Sequence, residues 1–71
     1  MNSYWWSFVL GEHEVVFHAN NDRDSAVIHK ERMKQSPLAL RVGVTTRKIS
    51  GEKLREKAAR QYPGLKVTLM L

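Results

Sequence analysis

Glu12, His13, Glu14 and His18 crowd one short stretch, and imidazole with carboxylate oxygen is a donor set that suits zinc. The spacing works against such a site. On a regular strand, residues an odd number apart point to opposite faces, so His13 and His18 diverge and behave as surface histidines. Asp22 and Asp24 offer oxygens to a divalent cation, but carboxylates at the start of a helix already serve its positive end. No metal and no other cofactor is expected. Ser7, Ser25, Ser36 and Ser50 are scattered among three histidines, and Gly43 and Gly51 stand alone. That arrangement has no nucleophile elbow, phosphate-cradling glycine loop or zinc-protease signature. No catalytic residues and no enzymatic reaction are expected.

The basic residues are more informative. Twelve Lys and Arg against seven Asp and Glu give a net charge of +5, which favours acidic partners. Arg41, Arg47 and Lys48 lie along or just after one strand, Lys30, Arg32 and Lys34 near the end of a helix, and Lys53, Arg55, Lys57 and Arg60 along a second helix. On that second helix Glu52 and Glu56 stand three or four residues from cations, the spacing of ion pairs on a solvated face.

These side chains must be positioned by elements that the residue pattern itself predicts. Aromatic and β-branched residues dominate 4–10 and 14–19, with Gly11 between them, which predicts a β-hairpin. An even loop, two residues at Gly11 and Glu12 or four at Gly11 to Glu14, would set Tyr4, Trp6, Phe8 and Leu10 with Val15, Phe17 and Ala19 on the core face. Trp5, Ser7 and Val9 then share the other face with Glu14, Val16 and His18. The stretch 20–37 predicts a helix, capped by Asn20 or Asn21 and closed by Pro37, with a thin apolar stripe around Ala26 and Met33. Residues 38–46 alternate, with Leu38, Leu40, Val42 and Val44 on one face of a strand and Ala39, Arg41, Gly43 and Thr45 on the other. A second helix follows, capped by Ser50, with Ile49 stapling onto Leu54, with Leu54, Ala58 and Tyr62 on one face, and with Pro63 and Gly64 ending it. The run 65–71 alternates again and predicts a fourth strand.

The order ββαβαβ, with one apolar face per later strand, predicts a single α+β domain. Its form is a two-layer sandwich in which two helices cover one face of a four-stranded mixed sheet. The layout is β-grasp-like if the last strand pairs beside the first, with a ferredoxin-like variant as the alternative. Cys is absent, so neither a disulfide nor a thiolate zinc site staples the fold. The absence of a signal peptide and of any run near the ~20 apolar residues of a membrane span points to a cytoplasmic protein. The uncovered sheet face is the expected docking surface for an acidic protein partner. Trp5, Val16, His18, Arg41 and Lys66 form it, with Trp5 as anchor. Alternatively, Trp5 curls over a strand edge and covers Val16. On the first reading Trp5→Ala spares stability while Trp6→Ala costs about 3–5 kcal/mol. Direct nucleic-acid binding is the alternative function, through Arg41, Arg47, Lys48, Lys30 and Lys34. No membrane association is expected.

The run "WSFVLGEHEVVFHANNDRDSA" resembles the small phage-encoded inhibitors of host RNA polymerase. There a Trp-bearing strand, a hairpin with a nearby Glu-His, a second strand and an Ala-containing helix follow in the same order. The second helix of this chain departs from that smaller plan. The resemblance implies a non-enzymatic protein that docks on polymerase and alters transcription, in the host cytoplasm if phage-encoded.

Overall fold

The computed structural model describes residues 2–71. Its elements are β1 (Asn2–Leu10), β2 (Glu14–Asn20), α1 (Arg23–Met33), β3 (Ala39–Val44), β4 (Ile49–Ser50), α2 (Gly51–Gln61) and β5 (Lys66–Met70), an α+β fold. The order is the expected one with a two-residue strand added. The sheet runs β3-β1-β2-β5, and β4 pairs with the start of β1. All pairs are antiparallel except β2 with β5, which is parallel. The last strand therefore joins β2 and not β1, which departs from the β-grasp arrangement.

A single loop residue decides the hairpin. Leu10 pairs with Glu14, so the loop is Gly11, Glu12 and His13, an odd number, with Gly11 in the left-handed region at φ +64°. Glycine enters that region without the Cβ clash that other residues suffer. Because side chains alternate along a strand, the odd count exchanges the two faces of β1 relative to β2. Trp5, Ser7 and Val9 stand opposite Ala19, Phe17 and Val15, while Trp6 and Phe8 stand opposite His18 and Val16. The expected partition of β1 is thus reversed, whereas Val15, Phe17 and Ala19 do face the main core.

That core joins Trp5, Val9, Val15 and Phe17 to Leu54, Ala58 and Tyr62 of α2, with Ile49, Leu65, Val67 and Leu69 packed around them. Helix α2 forms where expected: the Ser50 hydroxyl accepts from the Lys53 N–H at 3.2 Å, and Leu54, Ala58 and Tyr62 recur every four residues on one side. Helix α1 packs against β1, β3 and β2 on the opposite side, with Ala26 fully buried and His29 stacked on Trp6. Its cap is Asp22, one residue beyond the expected asparagines. The carboxylate accepts from the Ser25 N–H at 2.8 Å, and that bond holds the Asp22 carboxyl below its ordinary pKa.

The helices therefore flank the sheet instead of sharing one face. Three consecutive buried residues on β1, Trp5, Trp6 and Ser7, record the same fact, since neighbours on a strand point to opposite sides. Chain handedness supplies the reason. Strands β2, β3, β4 and β5 run in the same direction; the connection through α1 crosses the sheet from β2 to β3, and the connection through α2 crosses back from β4 to β5. Two crossovers of the same hand that travel in opposite directions must pass over opposite faces.

The alternation expected from Leu38 to Val44 also breaks. Val44 pairs with Trp6 and Leu40 with Val9, and the register shifts between them. Arg41 and Val42 together face Phe8 across this bulge, and Arg41 takes a left-handed φ of +48°. Leu38 and Leu40 end up 72% and 51% exposed at the sheet edge.

Candidate functional site

The residues expected to form a partner surface separate. Trp5 is 1% exposed. Its indole N–H donates to the Ile49 carbonyl at 3.0 Å, and its backbone N–H donates to the Thr45 hydroxyl at 3.0 Å. An indole with this enclosure and a satisfied N–H is core, so Trp5 is no docking anchor. Nor does it curl over an edge onto Val16, which is buried on the other side of the sheet opposite Phe8. His18 and Lys66 do lie on that α1 side, and Arg41 sits exposed on the β3 bulge.

Helix α1 covers β1 and β3 there, leaving His18 half-buried beside it. The His18 ring lies 4.4 Å from the Trp6 ring at 9°, and the His29 ring lies 5.6 Å from Trp6 at 17°. Burial, followed by repulsion from His29, pushes the His18 pKa down. Next to this stack the Thr68 hydroxyl donates to the Glu14 carboxylate. Among the described residues, no three His, Asp or Glu side chains converge on a point that would hold a metal ion. Among the described residues, no helix is long and apolar enough to cross a membrane.

The basic residues proposed for nucleic acid also divide. Lys30 and Lys34 both pair with Glu31, at 2.9 and 3.3 Å, near the C-terminal end of α1. Lys48 reaches over the Tyr4 ring, with its Nζ 5.8 Å from the centroid. Arg47, its neighbour, lines a groove on the α2 side. Among the described residues the two pairs with Glu31 are the only ion pairs, so the pairing expected for Glu52 and Glu56 does not form.

That groove has the strongest claim to function. Helix α2 packs on β4 and β5 and against Trp5 and Val9 of β1, and a groove remains between it and β3 on this side. The open space measures about 610 Å³. Phe17, Leu54 and Ala58 give it an apolar floor, Thr45, Thr46 and Tyr62 contribute hydroxyl-bearing side chains, and Arg47 and Lys57 contribute cations. No carboxylate lines it among the described residues. On α2, Lys57 and Gln61 stand one turn apart and both line the groove, whereas Glu52 and Glu56 do not. An acid-free wall of unpaired cations above an apolar floor suits a ligand that carries negative charge and apolar surface together.

The sequence reading had marked Arg47 and Lys57 as basic but had no reason to bring them together. Ser7 read as one of several scattered serines and Gly43 as an isolated glycine, and neither was given a place in a site. Small residues inside two strands were the available signal, since a missing side chain in a sheet marks a place where something else approaches.

No family model, curated protein or solved structure matches this chain.

Proposed function

We propose that this chain is a small non-enzymatic binding module that docks on an acidic surface of a larger macromolecule, using the groove between α2 and β3. One observation carries the reading: among the described residues, Arg47 and Lys57 line that groove with no carboxylate beside them. Two cations with no carboxylate nearby give the groove a positive potential that attracts and orients an acidic partner. The N-terminal resemblance to phage-encoded polymerase inhibitors makes transcription machinery the first partner class to test.

Affinity capture from lysate, with and without nuclease, tests the proposal when the native chain is compared with an Arg47→Glu, Lys57→Glu variant. The expected result is a nuclease-insensitive protein partner that the variant fails to retain. Equal capture by both forms would remove the groove from the argument.

Direct nucleic-acid binding has one observation in its favour, the +5 charge of which so little is neutralised by ion pairs. Affinity would then fall with salt at a log–log slope of about −0.9 per phosphate neutralised on duplex DNA. The separation of Lys30 and Lys34 from Arg47, on opposite sides of the sheet, speaks for the protein partner instead.

A further inference from the structure

Within the groove, Ser7 and Gly43 pair across β1 and β3 on the α2 side. Both are small, and Phe17 stands beside Ser7 on β2. Together they leave a notch in a row otherwise filled by large side chains. Nothing inside the fold requires glycine at this place: the backbone of Gly43 is not left-handed, and a Cβ there would meet only the Ser7 hydroxyl, at 3.7 Å. The space above Gly43 is therefore open, not needed by a neighbour. Ser7 is buried, and no side-chain hydrogen bond among the described residues uses its hydroxyl. An apolar floor with an unused hydroxyl, bounded by Arg47 and Lys57, has the composition of a side-chain pocket and not of a plain charged surface.

We infer that this notch receives a large apolar side chain from an extended acidic segment of the partner. Flanking Asp or Glu residues of the segment then sit between Arg47 and Lys57. The inference rests on the acidic-partner reading above and adds the occupant. Lys30 and Lys34 lie on the opposite side of the sheet from Arg47 and Lys57, so no continuous basic track is there for a nucleic-acid backbone to follow. That favours peptide over nucleic acid. Carboxylate between two cations supplies orientation, and the buried apolar side chain supplies the anchor, the division of labour seen where a few residues dominate binding.

The test is selection of a random displayed peptide library on the full-length native chain. Selected peptides are then measured by fluorescence anisotropy against three variants: Gly43→Val, Lys57→Ala, and Lys30→Ala with Lys34→Ala as a control on the opposite side. Poly-glutamate and a single-stranded oligouridine serve as companion probes. Enriched peptides are expected to carry a large apolar residue flanked by Asp or Glu. Gly43→Val puts into the notch a side chain whose Cβ meets only the Ser7 hydroxyl, at 3.7 Å, and should weaken them about tenfold or more, while melting no lower than the native chain. Lys57→Ala, an exposed change that leaves the core intact, should weaken them as well, and the control should not. If Gly43→Val binds the selected peptides as the native chain does, or if poly-glutamate binds as tightly as they do, the notch is not a pocket, although the acidic-partner reading survives. If no acidic peptide is enriched and oligouridine binds, both fall.

Discussion

On the α2 side of the sheet Trp5 is enclosed by Val15, Phe17, Leu54 and Ala58, and its N–H bonds a backbone carbonyl. On the α1 side Trp6, its chain neighbour, is stacked among Phe8, His18 and His29. Helix α2 contributes two fully buried residues and a regular stripe, α1 only Ala26. One side is held by apolar packing that no proton can alter; the other depends on imidazoles lying flat against an indole. Two adjacent residues of the same type thus anchor layers with different sensitivities. The lesson is that a central strand covered on both sides can divide stability and responsiveness between its odd and even positions.

Several experiments would break or sharpen this contrast. Trp5→Ala has the largest expected effect, a loss of about 3–5 kcal/mol in chemical denaturation, because it empties the core and strips the Ile49 carbonyl of its donor. Leu54→Ala should cost about 2–5 kcal/mol by the same packing argument. Trp5→Phe should cost more than Trp6→Phe, since among the described residues Trp6 makes no side-chain hydrogen bond to lose; equal costs would dissolve the distinction. Acidification should act through the α1 side. Folding depresses the His18 pKa from its ordinary 6.5, so as pH falls through that value the unfolded chain takes up the proton first. Stability is then full above 6.5 and declines below it, until the folded-state pKa is passed. A melting temperature that falls between neutral pH and pH 5, with the slope removed by His18→Gln, is the expected readout. Ser50→Ala removes the α2 cap and should cost about 1 kcal/mol. Ile28→Ala, on the exposed side of α1, should stay within about 0.5 kcal/mol of the native chain.

What the sequence made legible was local. The Ser50 cap, the Leu54, Ala58 and Tyr62 stripe, and the helix end before Pro63 depend on residues a few positions apart, and each stands as read. The positions of Val15 and Phe17 in the core were legible from alternation alone. The assignment of Trp5 and Trp6 was not, because it turns on whether a turn holds two, three or four residues, and Gly11-Glu12-His13 carries no strong preference for any of them. The side taken by each helix depends on strand order, a property of the whole chain that no window contains. The β3 bulge was hidden because Arg41 is not a residue that advertises a left-handed φ. Of the candidate groove, its charges were visible and its shape was not: Lys57 and Arg47 read as solvated cations until β3 and α2 are set beside one another.

The bulge at Arg41 has a further effect on how copies of this chain meet. β3 is an outer strand with Leu40 on it and Leu38 just before it facing water, a combination that ordinarily invites neighbouring molecules to extend the sheet and start a fibril. The extra residue interrupts the regular ladder of free amide groups halfway along, and it does so at a position carrying fixed positive charge. A strand from another molecule finds no continuous template there, which works against extension of the sheet at this edge.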